Sequence, residues 1–176
     1  GFDKHANITT GPVIDESAWT RLKGLVDDAV AGGATLLAGG ERPTGMNAGH
    51  FLAPTVLAGV TETMAVYREE TFGPIVSIVP FDDKTDLLRM ANDCEEGGLT
   101  AYVFTRDLAR AEHFSAHLRY GEIQINGVKY DIDLPHGGIG QSGVGHDCSA
   151  LALHDYLVQK RITRALDTTT FGGLNP

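Results

Sequence analysis

With 176 residues, 42% of them hydrophobic and 21% charged, the chain has the composition of one soluble globular domain with a sizeable core. Its net charge of −9 disfavours nonspecific association with nucleic acid or an anionic membrane, so neither is expected as a partner. No apolar run approaches the roughly 20 residues that cross a bilayer, and no charged segment followed by an apolar one opens the chain as a secretory signal would. Cys94 and Cys148, far apart in sequence, are too few for a disulfide framework, which makes a reducing, cytoplasmic setting the expectation. The first residue is Gly1 and the chain enters at once into a polar segment, which suggests a piece of something longer, although a processed terminus would look the same.

Residues 1–13 are polar and marked by Gly and Pro, and are expected to be loop. Asp15 then offers an N-cap to a helix in which Trp19, Leu22, Leu25, Val26, Ala29 and Val30 recur about once per turn, ended by Gly32-Gly33. Residues 34–38 form a short apolar run suited to a buried strand, and 51–60 read as extended around Pro54. A β-branched run at 75–79 predicts a strand, and Asp82 and Asp83 precede a helix carrying Leu87, Leu88 and Ala91. A strand is expected at 100–105, then a helix capped by Asp107, then a strand at 122–126 after Gly121. This alternation predicts an α/β architecture, a mainly parallel sheet with flanking helices. A short helix near 150–154 precedes a run at 156–165 of mixed polarity that suits an edge strand. The tail at 167–176 is expected to be flexible.

Between the second and third expected strands lies Tyr67-Arg68-Glu69-Glu70-Thr71-Phe72-Gly73-Pro74-Ile75. In an extended backbone Glu70 and Phe72 would face one target together. A carboxylate can accept two hydrogen bonds from a vicinal diol such as a ribose, and an aromatic face suits a planar ring. Gly73 allows close backbone approach.

Other constellations are weaker. Gly138-Ile139-Gly140-Gln141-Ser142-Gly143 has the form G-x-G-x-x-G, but Pro135 precedes it and Val144-Gly145-His146-Asp147 makes a poor first helical turn, so a tightly packed glycine loop is expected in place of a phosphate cradle. His113 and His117 stand four apart on a helix without a third ligand nearby, and no metal is expected. Cys94 lies among Asn92, Asp93, Glu95 and Glu96, where carboxylates raise a thiol's pKa, and Cys148 follows His146 and Asp147 without a reason to be reactive. No catalytic nucleophile is expected in this chain.

Taken in order, the landmarks resemble the C-terminal part of the NAD(P)-dependent aldehyde dehydrogenase superfamily. Gly11-Pro12-Val13-Ile14 is similar to its G-P-x-x, Gly33-Ala34 through Gly39-Gly40 to its G-A-x-x-x-x-G-G, and Pro54-Thr55-Val56 to its P-T-V. Glu69-Glu70-Thr71-Phe72-Gly73-Pro74 resembles E-E-x-F-G-P, Ala91-Asn92 with 98–105 resembles A-N-x…G-L-x-A-x-V-F-T, and Gly121 through Asn126 resembles G-x-x-x-x-N. Pro135-His136-Gly137-Gly138…Ser142-Gly143-Val144-Gly145 resembles P-F-G-G…S-G-x-G. The shared order covers roughly residues 11–162.

The resemblance implies a portion of the catalytic domain at 1–155 and an oligomerisation strand at 156–166 that pairs with another subunit of a homo-oligomer. It implies that Glu70 holds the ribose hydroxyls on the nicotinamide side of NAD or NADP and that Phe72 lies by the nicotinamide. The implied chemistry is oxidation of an aldehyde to a carboxylate through a thiohemiacetal and a thioester. The family's nucleophilic Cys, general-base Glu and Rossmann domain fall upstream of this chain, so the isolated piece is expected to be inactive. Departures from the pattern are His136 at the P-F-G-G aromatic, His146 at a usual Arg or Lys, an extra residue around 95–97, and Lys129, Tyr130 and Asp131 in the loop after Asn126. Asn126, Lys129 and His136 thus become candidate substrate-pocket residues, and a small hydroxy-aldehyde or a carboxylate-bearing semialdehyde becomes the expected substrate. Release of the thioester to coenzyme A, or a non-catalytic oligomerisation remnant, are the competing expectations.

Overall fold

The computed structural model describes residues 10–82, 86–93, 97–129 and 131–164. Cys94, Glu95, Glu96, Asp83, Tyr130 and the 167–176 tail lie outside the described residues. The elements run α1 (Glu16–Ala31), β1 (Thr35–Ala38), β2 (Thr55–Ala58), α2 (Ala65–Arg68), β3 (Ile75–Ile78), α3 (Leu87–Asn92), β4 (Thr100–Val103), α4 (Leu108–His117) and β5 (Glu122–Ile125), followed by 3₁₀ segments at Gly140–Ser142 and Ala150–Tyr156.

The Asp15 carboxylate accepts from the Ala18 N–H at 2.8 Å, satisfying one of the amides that the first turn leaves unpaired. The helical periodicity then places Leu22, Leu25, Val26 and Ala29 on the buried face, while Val30 faces out. Burying such side chains contributes about 2 kcal/mol each for the larger ones. They pack on a three-stranded sheet of order β1-β2-β3, with Leu57, Val60, Val66 and Ile75 on the other side of the core. β2 and β3 are parallel and β1 runs antiparallel to β2. A second sheet joins β4 and β5 in parallel. Among the described residues both strand pairs joined by a helix-bearing connection are parallel, as the alternation predicted.

Some expectations are corrected. The 34–38 run is a strand but not a buried one: every residue of β1 is exposed, including Leu37 at 59%, because β1 is an edge strand and α1 covers β2 in its place. Helix α3 does carry Leu87, Leu88 and Ala91, and its cap is Asp86, whose carboxylate accepts from the Arg89 N–H at 3.0 Å. Residues 157–164 carry no strand; an edge strand needs a second backbone to bond to, and the single chain offers none there.

Thr55 is the buried polar residue of this core, 1% exposed. Its hydroxyl donates to the Ala53 carbonyl at 2.7 Å and accepts from the buried Gly40 N–H at 2.9 Å. Gly39, at φ 74°, lies so close that a Cβ there would fall 2.2 Å from the Pro54 carbonyl oxygen. The glycine pair after β1 and the Pro-Thr of β2 are therefore one packed unit. Thr55→Val keeps the shape but strands the Gly40 amide, and should cost about 2 kcal/mol by chemical denaturation, with Thr55→Ser recovering most of it.

Candidate functional site

The turn between α2 and β3 is anchored from three directions. The Glu69 N–H donates to the Ala65 carbonyl at 2.9 Å, closing α2. The Arg21 guanidinium of α1 donates to the Thr71 carbonyl at 2.5 Å. The Thr55 N–H donates to the Pro74 carbonyl at 2.8 Å, starting the β2–β3 ladder. Ile75 N–H also donates to the Gly73 carbonyl at 2.8 Å, a three-residue turn about Pro74 that suits proline's fixed φ. Gly73 sits against Leu22: a Cβ would lie 2.5 Å from its Cδ1.

Held this way, Phe72 has φ 45°. An aromatic residue rarely occupies this left-handed region, which costs roughly 1–2 kcal/mol. The extended backbone expected through Glu70 and Phe72 is therefore wrong at Phe72: the chain reverses there. Two residues apart on a bend need not share a face, so strand alternation does not set Glu70 and Phe72 side by side. Both are nonetheless exposed, Phe72 by 78%. An exposed carboxylate and an exposed aromatic on a rigid turn fit a ligand that presents hydroxyls beside a flat ring.

The other candidates follow β5. Asn126, at φ 54°, accepts from the Thr105 N–H and donates to the Thr105 carbonyl, both at 2.8 Å, so its amide ties the end of β5 to the end of β4. Lys129 is 84% exposed and pairs with Asp131 at 3.3 Å. The Asp131 carboxyl is held below its ordinary range first by the Asp133 backbone N–H and then by Lys129. His136 is partly buried, with Nδ1 3.3 Å from Glu122 Oε2, and its backbone bridges Asp147. It lines a groove of about 720 Å³ together with Ser142, His146, Asp147, Asp155 and Tyr156.

The Gly138–Gly143 stretch turns into a 3₁₀ segment at Gly140–Ser142, not a long helix, and so lacks the context of a dinucleotide fingerprint. Its glycines serve close packing: a Cβ on Gly121 would lie 1.8 Å from the Gly137 carbonyl oxygen, and one on Gly98 2.6 Å from that of Ile139. His117 Nδ1 contacts the His113 carbonyl at 2.7 Å, and no group that could hold a metal occurs among the described residues. Cys148 is partly buried and outside any disulfide. Three contributors were missed in the sequence. Arg21 gives no signal, because its partner is a carbonyl 50 residues away. Glu122 and Gln124 do give one: two polar side chains at alternate positions of an otherwise apolar strand.

Two substitutions test the anchoring. Gly73→Ala should destabilise by about 1–3 kcal/mol by overpacking fully buried Leu22. Phe72→Gly should leave thermal stability unchanged or raise it by up to about 1 kcal/mol, since it removes backbone strain and little burial. A large loss on Phe72→Gly would mean that the ring packs on its own chain.

The model of the aldehyde dehydrogenase family matches residues 1–162. The non-phosphorylating aspartate-semialdehyde dehydrogenase of Halomonas elongata is 40% identical over 162 residues, which are 91% of this chain and 32% of that protein. The crystal structure of succinate-semialdehyde dehydrogenase from Burkholderia pseudomallei superposes with a TM-score of 0.80 at 40% identity, covering 87% of this chain and 31% of that one. That of Mycobacterium tuberculosis aldehyde dehydrogenase complexed with NAD+ gives a TM-score of 0.76 at 36% identity, covering 83% and 30%. The chain thus spans about a third of the length of the relatives it matches. With the family model covering almost its whole length and the α/β fold shared, the chain belongs to the aldehyde dehydrogenase family.

Proposed function

We propose that this chain supplies the cofactor-ribose contact and part of the aldehyde pocket of an NAD(P)-dependent aldehyde dehydrogenase. The observation that carries the reading is Phe72, an exposed ring kept on strained backbone beside exposed Glu70 by bonds from α1, α2 and β2. Strain of this kind persists only where the surroundings impose it, and it concentrates at ligand sites. A solved relative complexed with NAD+ supports the choice of ligand.

In this reading the Glu70 carboxylate accepts from both hydroxyls of the ribose next to the nicotinamide, and the Phe72 ring covers the nicotinamide and keeps water from that side. When bound, the cofactor takes the hydride of the aldehyde carbon. The thiolate that attacks the aldehyde, and the base that activates the hydrolytic water, belong to polypeptide outside this chain. The overall reaction converts aldehyde, water and NAD(P)+ to carboxylate and NAD(P)H with release of two protons.

For the substrate, the polar residues Lys129 and His136 support a semialdehyde or small hydroxy-aldehyde over a long alkyl aldehyde, and two of the relatives described above act on semialdehydes by name. The exposed apolar side chains of Tyr156, Val158 and Ile162 support a homo-oligomer formed through 156–166. No described helix is long and apolar enough to cross a membrane. The acidic charge and a sequence with only two cysteines support a cytoplasmic setting.

In the full-length native polypeptide, Glu70→Ala should raise the KM for NAD(P)+ about tenfold or more, the weight of two hydrogen bonds to a charged group. An unchanged cofactor KM would remove the ribose role. The 176-residue chain alone, mixed with NAD+ and a panel of aldehydes, should form no NADH. Succinic semialdehyde should show a higher kcat/KM than hexanal in the full-length polypeptide; the reverse order would remove the polar-pocket reading.

A further inference from the structure

Glu122 and Gln124 leave the same face of β5, being two residues apart on a strand. The Glu122 carboxylate is a junction. Its Oε1 accepts from Gln124 Nε2 at 2.6 Å, and its Oε2 accepts from Thr100 Oγ1 at 3.3 Å and lies 3.3 Å from His136 Nδ1. Thr100 is its cross-strand neighbour in register on β4. Gln124 Oε1 in turn accepts the Lys129 backbone N–H at 2.6 Å. One connected set of bonds therefore runs from the glycine-rich loop at His136, across β5, to the loop that follows Asn126. The side chains of Glu122 and His136 are only 24% and 31% exposed, so water competes weakly for these bonds. An ionised carboxylate accepts and does not donate, which puts the ring hydrogen of His136 on Nδ1.

We propose that Glu122 is a positioning residue for the aldehyde pocket: its carboxylate fixes His136 as the Nδ1–H form and, through Gln124, holds the 127–129 loop in step with it. The proposal rests on the reading of Asn126, Lys129 and His136 as pocket wall. Glu122 itself touches no reacting atom. Its effect is to make the wall at His136 and the wall at 127–129 respond as one. A carboxamide at this position keeps the size but has a single acceptor oxygen, which cannot serve Gln124, Thr100 and His136 together.

The test uses the full-length native polypeptide. Glu122→Gln should raise the KM for the preferred aldehyde about tenfold, with kcat within about twofold and the cofactor KM unchanged. His136→Ala should raise it similarly, and the double variant should be no worse than either single one, as for residues acting through one network. Gln124→Met, which cuts only the branch to Lys129, should give a smaller KM rise of the same kind and serves if Glu122→Gln fails to fold. Effects that multiply, or a joint fall in kcat and cofactor affinity, would overturn the proposal. Independently of turnover, ¹⁵N-histidine spectra of the same polypeptide should show neutral His136 protonated on Nδ1 in the wild type and redistributed in Glu122→Gln. An Nε2–H wild type, or an unchanged spectrum in the variant, would equally overturn it. If the wild type oxidises no aldehyde, the pocket reading falls, and the histidine spectra alone decide whether Glu122 positions His136.

Discussion

The backbone and hydroxyl of Thr55 form the contact on which the described fold most depends. One residue, sealed from water, bonds to the glycine pair after β1, to its own strand's entry at Ala53, and through its N–H to Pro74 at the start of β3. A polar side chain in such a place is costly unless every bond is made, so the geometry around it is close to all-or-none. The register of β2 against β3 begins at that bond, and the register of β3 sets where the turn at 69–74 can stand. What looks like a ligand-presenting loop is thus an outgrowth of the sheet.

The turn shows how rigidity and exposure are combined. Its main-chain groups are taken up by α1, α2 and β2, and Gly73 is fitted against Leu22 in the core. None of this uses the Phe72 ring. The fold therefore fixes the backbone of this turn while Glu70 and Phe72 remain exposed, an arrangement that costs stability locally at Phe72. The loops after β5 are built on the opposite plan, with the side chains of Asn126, Gln124 and Glu122 consumed in holding backbone and each other.

The elements that were legible in the sequence are those with strong periodicity or a cap: α1 with Asp15, α4 with Asp107, and the strands β3, β4 and β5. Family landmarks singled out the segment with Glu70 and Phe72, which stands as an exposed turn between α2 and β3. Its backbone was misread, because a left-handed aromatic residue is imposed by distant anchors such as Arg21 and has no local signature. The apolar run of β1 was misread as buried, because sequence shows that a strand is apolar but not which neighbours cover it. The short α2 escaped for a related reason: a single turn held by Met64 and Ala65 carbonyls offers too few residues for a period to appear. Lys129 and His136 were recognisable as unusual residues, whereas their carboxylate partners emerged only in three dimensions.

Helix α3 is the narrow bridge between the two sheets. Tyr67 donates its hydroxyl to the Met90 carbonyl and Glu62 pairs with Arg89 on one side, while Asn92 and the Ala91 carbonyl bond to residues 117–120 on the other. Among the described residues beyond it, Ala111 is the buried hydrophobic one, against nine that precede α3. The two parts consequently share few packed neighbours. Their substitution energies should combine as nearly independent sums, with coupling strongest for the side chains that meet at α3 and for Phe81, which shares a cavity with β4. In evolutionary terms, that gives the loops after β5 freedom to vary without disturbing the turn between α2 and β3.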